Sequence, residues 1–286
     1  MKSVAIILHP EKKRVAKVAE EAIDWLKKHN LEIRLGHDDA EAVGFSALGY
    51  REEDLTKVDF FLVLGGDGSI LKVARMLKGK DIPVLGVNFG KIGFLSEVEQ
   101  SELLTSLEKV LRGDFFIESR LMLEAKIFHR GESLGSFLAL NDVVVSVSER
   151  ERPTGFDVYV DGNLFTNYVA DGIIFSTPTG STAYSLSAGG PVLFPSVKGV
   201  VVTPICPHSF FNRSLVLSDG NKIEVRFSTL KKIKFIVNAD GLLVSSGKNQ
   251  PDRLTVQCSD KVFNLIRVSE IPFCCLLRKK LKGWGF

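Results

Sequence analysis

Gly65, Gly66, Asp67 and Gly68 stand between an apolar run over residues 58–64 and a helix-like stretch over residues 69–78. Strand, glycine turn and helix in that order are how an α/β protein builds a phosphate site. Backbone N–H groups at the helix start face the anion, and glycine lets the chain approach it. Ser69 suits the N-cap of that helix. Asp67 is the unusual member. A carboxylate among phosphate-binding amides repels the ligand unless a metal shields it or it has a chemical task of its own. Two readings follow: a nucleotide site with a built-in base, or a tight βα turn in which Asp67 bonds its own backbone.

Other stretches carry groups suited to a nucleoside. Asn141-Asp142 precedes a strand-like run over residues 143–147. The amide can pair with a base edge while the acid accepts from two ribose hydroxyls, although an ordinary turn ahead of a strand looks the same. Residues 170–191 are crowded with hydroxyls around Pro178 and Gly180 and run into a short helix of small residues. Hydroxyls donate and accept without adding charge, which suits sugar and phosphate contacts, and Tyr184 could stack on a base or simply pack. The loop over residues 86–95 holds glycines that let backbone approach a ligand, with Lys91 able to meet a phosphate; taken alone, a plain glycine turn with a solvated Lys91 is the better reading.

The elements that must position these groups fall into two textures. Up to residue 115, strand-like runs over 4–8, 31–35, 58–64 and 83–87 alternate with helix-like ones, the first carrying Val18, Ala19, Ala22, Ile23 and Leu26 at helical spacing. Such alternation predicts a Rossmann-like, mostly parallel sheet with ligands at the carboxyl ends of its strands. Residues 36–57 have weak periodicity and read as a loop with short helical pieces, a surface insertion in preference to a lid or substrate loop. A helix over 101–112 ends at Gly113. Beyond it, short β-prone runs over 121–128, 137–140, 143–147, 156–160, 173–175, 200–203, 215–217, 223–227, 235–237 and 254–257, several of them separated by Asp161-Gly162, Asp219-Gly220 and Asp240-Gly241, predict an antiparallel β-sandwich. The boundary is expected near residue 115.

Composition limits the function classes. The chain has 286 residues, 45% hydrophobic and 25% charged, with a formal charge of only +3, so nothing asks for a nucleic-acid partner. Its basic residues are dispersed apart from Arg278-Lys279-Lys280. No run reaches the ~20 apolar residues of a membrane span, and none has the core of a signal peptide. Cys206, Cys258, Cys274 and Cys275 lack paired spacing, which predicts buried thiols in a cytoplasmic protein rather than zinc ligands or disulfides.

Taken together, Gly65-Gly66-Asp67-Gly68, residues 88–95, Asn141-Asp142, residues 171–191, Pro207-His208 with Arg213, and Gly283-Trp284 resemble the NAD kinase family over nearly the whole chain. The glycine-aspartate turn is shared with lipid kinases and phosphofructokinase-like enzymes, whereas the hydroxyl-rich stretch is far more diagnostic. The resemblance implies an α/β domain over residues 1–115, completed by 269–286, and a β-rich dinucleotide-binding domain over 116–268. It implies transfer of the γ-phosphoryl of ATP to the 2′-hydroxyl of the adenosine ribose of NAD, giving NADP. It also implies a divalent cation (Mg²⁺ brought with ATP) and a homodimer or homotetramer.

By the same resemblance Asp67 is the general base, and Gly65, Gly66 and Gly68 leave room for phosphates. Asn141 and Asp142 hold the adenine and its ribose, placing the 2′-hydroxyl near Asp67, and Asp171 contacts the nicotinamide end. Gly68 with Thr182, Ala183, Tyr184, Ser185, Leu186 and Ser187 lines the dinucleotide, and Arg152 is a weaker contact. His208 and Arg213 read as structural. Two positions depart from the family: Val169 replaces a basic residue of some relatives, which leaves NAD against NADH open, and Leu242 replaces a frequent glutamine. The alternatives are a lipid kinase, which needs an apolar acceptor cleft, and a non-catalytic dinucleotide sensor, which has no use for Asp67. A redox enzyme is disfavoured because no G-x-G-x-x-G fingerprint is present.

Overall fold

A computed structural model describes residues 1–9, 11–90, 93–96, 98–147, 154–208, 211–227, 234–245 and 251–282. The chain forms two compact units, Met1–Ser119 with Phe263–Phe286, and Arg120–Val262.

In the first unit the order is β1 (Ser3–Leu8), α1 (Lys12–Lys28), β2 (Glu32–Gly36), α2 (His37–Ala42), β3 (Gly49–Tyr50), α3 (Glu52–Leu55), β4 (Phe60–Leu64), α4 (Asp67–Leu77), β5 (Val84–Asn88), β6 (Val98–Glu99) and α5 (Leu103–Arg112). The strands pair in parallel in the order β5, β4, β1, β2, β3, with β6 beside β5. Every residue of β4 is buried, as expected for a parallel strand covered on both faces. Helix α1 puts Val15, Ala19, Ala22, Ile23 and Leu26 into the core against Val4, Ile6 and Leu8. Gly113, in the left-handed region at φ 84°, closes α5. From β1 the chain crosses to β2 on one side, and β4 returns on the other. The order of the parallel strands therefore reverses between β1 and β4, where ligands of open α/β sheets bind.

The second unit contains most of β7 (Phe116–His129), then β8 (Glu132–Ala139), β9 (Asp142–Val147), β10 (Thr154–Val160), β11 (Asn163–Ala170), β12 (Gly172–Ser176), the short α6 (Tyr184–Ser187), β13 (Gly199–Ile205), β14 (Leu215–Ser218), β15 (Ile223–Phe227), β16 (Phe235–Ala239), β17 (Leu242–Ser245) and the start of β18 (Arg253–Arg267). One antiparallel sheet runs β14, β13, β12, β9, β16, β17, and β11, β10, β15 and β18 pair antiparallel in a second. Their facing side chains, among them Val143, Val145, Phe156, Tyr168, Phe175 and Phe235, share one core, which makes a sandwich. Arg130-Gly131, Asp161-Gly162 and Asp240-Gly241 have positive φ at both positions, the hairpin geometry whose twist matches that of the strands. Asp219-Gly220 instead joins strands that do not pair with each other.

After β18 the chain returns to the first unit, where Leu265 pairs with Val84 and α7 (Phe273–Lys282) follows. All four cysteines are free thiols, but Cys206 and Cys274 are exposed, contrary to the expectation of burial. Cys274 lies on α7 next to the inward Leu276 face and so points away from it.

Candidate active site

In the first unit α4 begins at Asp67, with Gly66 as N-cap, two residues before the position expected from Ser69. An acidic side chain in the first turn is favourable beside the exposed N–H groups of a helix start. Ser69 is buried within that turn, its own N–H donating to the Gly66 carbonyl at 2.9 Å.

Asp67 does not bond its own backbone. Its Oδ2 accepts from Phe94 N–H at 2.9 Å, and its Oδ1 from Leu95 N–H at 3.1 Å and Ser96 N–H at 3.4 Å. Three successive amides of the loop after β5 thus form a socket for one carboxylate. Gly93 makes the socket possible: a Cβ there would lie 2.1 Å from Asp67 Oδ1. Arg267, 4% exposed, braces the loop from behind, donating to the Leu95 carbonyl at 3.0 Å, to Phe94 at 3.5 Å and to Glu118 at 2.6 Å. Lys280 on α7 puts its ammonium 3.6 Å from Asp67 Oδ2. Among the described residues, nothing lies within 4 Å of a Cβ placed on Gly66 or Gly68, so the turn has room on that side.

A cavity of about 540 Å³ lies in this unit beside the turn, lined by Leu8 and His9 after β1 and by Gly68, Ser69, Lys72 and Arg75 of α4. Gly36, His37, Asp38, Asp39, Tyr50, Arg51 and Glu52, with the apolar Ile7, Leu55 and Met76, complete its wall. Residues 36–57, read from sequence as a surface insertion, are therefore part of the cavity wall. Their weak periodicity reflects two short helices and an edge strand of two residues.

In the second unit Asn141-Asp142 and the hydroxyl-rich stretch come together. Thr177 N–H donates to the Asn141 carbonyl at 2.9 Å, and Thr177 Oγ1 donates to the Leu140 carbonyl at 2.6 Å and accepts from Gly180 N–H at 3.0 Å. Gly180 passes so close that a Cβ would stand 2.0 Å from the Asn141 carbonyl oxygen. Most hydroxyls in this stretch are spent on the loop itself. Ser176, Thr177, Thr179, Ser181 and Ser185 are buried, and Ser185 Oγ lies 3.1 Å from Thr203 Oγ1. The residues that present themselves outward are Thr182, Ala183 and Leu186 in part, and Ser187 and Tyr184, both exposed, Tyr184 at 47%. Ser185 is turned away from that surface.

Asp240, seen in the sequence only as a turn former, holds Asn141 and Asp142 in place. Its carboxylate accepts from Leu140 N–H at 2.9 Å, Asn141 N–H at 2.7 Å and Asp142 N–H at 3.2 Å. Asp142 is 6% exposed, and burial, then the nearby Asp240 charge, pushes its carboxyl up to about 7. Asp171 is half-buried at the head of β12, its N–H bonded to the Ile205 carbonyl. His208 and Arg213 enter through their backbone, His208 N–H donating to Val169 and the Arg213 carbonyl accepting from Tyr168. Lys91, Arg152 and Gly283-Trp284 lie outside the described residues. Among the described residues no three His, Cys, Asp or Glu side chains gather as metal ligands.

Residues 4–115 match the ATP-NAD kinase N-terminal domain and residues 140–268 the ATP-NAD kinase C-terminal domain. Similar curated proteins include the NAD kinase of Thermoanaerobacter sp. (strain X514), 37% identical over 98% of this chain and 99% of that protein. Another is the NAD kinase of Syntrophotalea carbinolica, 40% identical over 97% and 95%. Yeast NADH kinase complexed with NADH superposes with a TM-score of 0.88 at 25% identity, covering all of this chain and 88% of that one. An NAD kinase from Archaeoglobus fulgidus in complex with ATP gives 0.77 at 25% identity, over 98% of both chains.

Proposed function

The chain belongs to the NAD kinase family and phosphorylates NAD to NADP with ATP, and we propose that Asp67 is the general base of that reaction. The observation that carries this reading is the socket: a carboxylate at the N-terminus of α4, fixed by three backbone N–H groups and still 28% exposed. The acceptor is the 2′-hydroxyl of the adenosine ribose, a weak nucleophile until a positioned carboxylate takes its proton. The freed electron pair on oxygen forms the new bond to the γ-phosphorus, and the bond from that phosphorus to the β,γ-bridging oxygen breaks. ADP leaves with the electron pair. Alignment and charge stabilisation supply most of the acceleration in such transfers.

The cavity beside the turn is our candidate for the donor triphosphate, with Lys72, Arg75 and Arg51 as its cations and the open sides of Gly66 and Gly68 for phosphate oxygens. The family's ATP-dependent reaction uses a divalent cation. We assign Mg²⁺, arriving as part of the MgATP substrate.

For the acceptor, Asn141 and Asp142 are proposed to hold adenine and ribose and Asp171 the nicotinamide end, with Thr182, Ala183, Tyr184, Leu186 and Ser187 along the dinucleotide. The exposed ring of Tyr184 is suited to stacking. Neither a lipid kinase nor a sensor without chemistry is favoured, since both domain matches are to ATP-NAD kinases. Among the described residues no helix is long and apolar enough to cross a membrane. We place the enzyme in the cytoplasm, as a homodimer or homotetramer. Leu242, Leu243 and Val244 support assembly, being exposed on β17 at the edge of its sheet. Light scattering on the purified protein tests it, and a monomer at micromolar concentration would refute it.

The main test is NADP formation from NAD, ATP and Mg²⁺ by the wild-type chain and by Asp67→Asn. Loss of most turnover with NAD binding retained supports Asp67 as the base; full activity in the variant removes it from that role.

A further inference from the structure

Of the three consecutive cations on α7, Arg278 and Lys279 are exposed while Lys280 turns inward. Its direction is set by the helix. Phe273, Leu276 and Lys280 recur at the spacing of one helical face, and Leu276 is buried at 6% exposure. The Phe273 ring lies 5.6 Å from that of Phe94, and the Lys280 ammonium lies 4.2 Å from the Phe94 ring centroid. The first and eighth residues of α7 therefore grip one side chain, two turns apart, and a cation over an aromatic face is held there electrostatically. Phe94 is also the residue whose N–H binds Asp67 Oδ2. The ammonium thus stands at a defined place, 3.6 Å from that same oxygen.

That separation is longer than a direct charge-assisted hydrogen bond, which runs at about 2.7–2.9 Å. It fits a third oxygen in contact with both groups, donating to the carboxylate at roughly 2.7 Å and accepting from the ammonium at roughly 2.9 Å. We propose that Lys280 is a second catalytic residue, which grips the acceptor hydroxyl oxygen from the side opposite its proton. This inference rests on the assignment of Asp67 as the base. As the hydroxyl proton passes to Asp67, negative charge grows on the oxygen, and the ammonium, which keeps its own protons, stabilises that charge. When the oxygen–phosphorus bond forms, the same cation is within reach of the equatorial oxygens of the phosphoryl group in transit. A preorganised donor of this kind acts in the transition state more than in the ground state.

The test uses the full-length protein with NAD, ATP and Mg²⁺. Lys280→Met keeps an apolar stem over Phe94 and removes the charge, and Lys280→Arg keeps the charge. Lys280→Met is expected to lower kcat roughly ten- to a hundredfold while the KM for NAD moves by less than about threefold. Lys280→Arg should recover at least about a third of the lost turnover. The double variant Asp67→Asn/Lys280→Met should be no slower than Asp67→Asn alone, because both groups act on one hydroxyl; a purely structural lysine would add its cost to that of Asp67→Asn. Melting temperatures of all variants separate loss of chemistry from loss of fold. A kcat for Lys280→Met within twofold of wild type overturns the inference, as does a loss that follows a lowered melting temperature and is not restored by arginine. If Asp67→Asn is fully active, the base assignment has failed. If Asp67→Asn is impaired and Lys280→Met is not, the role of Lys280 alone has failed.

Discussion

Asp67 in the first unit and Asp240 in the second make the same hydrogen bonds to opposite ends. Each carboxylate accepts three successive backbone N–H groups: Phe94, Leu95 and Ser96 in one case, Leu140, Asn141 and Asp142 in the other. At Asp67 the loop is the holder and the carboxylate, 28% exposed, is the group presented, the one we propose for the chemistry. At Asp240 the carboxylate is the holder, 8% exposed, and the groups presented are Asn141 and Asp142. Three N–H donors on an aspartate therefore say only that a loop and a side chain fix each other. Exposure, and what else faces the carboxylate, decides which partner carries the function. Asp67 has the Lys280 ammonium in front of it and a cavity beside its turn, whereas Asp240 sits in a left-handed hairpin turn at φ 46°.

The strongest way to break this distinction is to remove one charge at each place. Asp67→Asn should cut kcat by about 10²–10⁴ with NAD affinity nearly unchanged, as measured by steady-state kinetics and calorimetric titration. Asp240→Asn keeps one acceptor oxygen but points an amide N–H₂ at backbone donors. It should lower stability by about 1–3 kcal/mol and raise the KM for NAD several-fold while kcat stays within about threefold. Denaturant melts and kinetics on the same preparations check both. If Asp240→Asn lost as much kcat as Asp67→Asn, the two carboxylates would have to be given equivalent roles.

A matched pair of glycines sharpens the contrast at smaller cost. Gly93→Ala would put a Cβ 2.1 Å from Asp67 Oδ1, and Gly180→Ala one 2.0 Å from the Asn141 carbonyl oxygen. The intrusions are equal in size but differ in target. Gly93→Ala displaces the proposed base and should lower kcat roughly tenfold or more, since small misplacements of a catalytic group are costly. Gly180→Ala displaces the loop proposed to hold the nucleoside and should act mainly on the KM for NAD. Equal effects of both on kcat alone would remove the division of labour.

Much of this was legible in the chain. Five fully buried residues in β4 followed by Gly65-Gly66-Asp67-Gly68 announce a parallel strand and its ligand turn, and Asp161-Gly162 and Asp240-Gly241 announce hairpins. The strands that escaped are those whose faces alternate irregularly or lie exposed. Strand β11 (Asn163–Ala170) is mostly exposed, and β18 runs over 15 residues with its middle in solvent, so only its first turnings looked apolar. At the site, the groups on local motifs were found and those that arrive from a distance were not. Asp240 reaches Leu140 across 100 positions, Arg267 reaches Leu95 across 172, and Lys280 comes to Asp67 from the far end of the chain. The hydroxyls of residues 176–185 also have a structural task that their density does not reveal: Ser176 and Ser181 satisfy carbonyls of their own loop, Thr177 the Leu140 carbonyl, and Ser185 pairs with Thr203.

The smallest expected effect comes from Asp142, and it separates binding from stability within the second unit. Its carboxyl, raised from 3.8 to about 7 by burial and then by the Asp240 charge, retains its proton in the folded chain where the unfolded chain has released it. Between about pH 4 and 7 the folded state therefore binds more protons, so this group's contribution to stability is greatest in acid and falls as pH rises through 7. Asp142→Asn cannot ionise and should be more stable than wild type at pH 8 by about 1–2 kcal/mol, relaxation around the site absorbing part of the shift, with the difference vanishing near pH 4. The same substitution leaves an amide where ribose hydroxyls need an acceptor for two protons, so NAD should bind several-fold more weakly at pH 8. In the wild type, NAD binding at pH 7 should release protons as the ribose draws Asp142 into its charged form, which calorimetry in buffers of different ionisation heat would detect. Proton uptake instead, or an Asp142→Asn variant that is less stable at pH 8, would mean that the buried carboxyl is already paired in the free protein and that its burial is not held in reserve for the nucleoside.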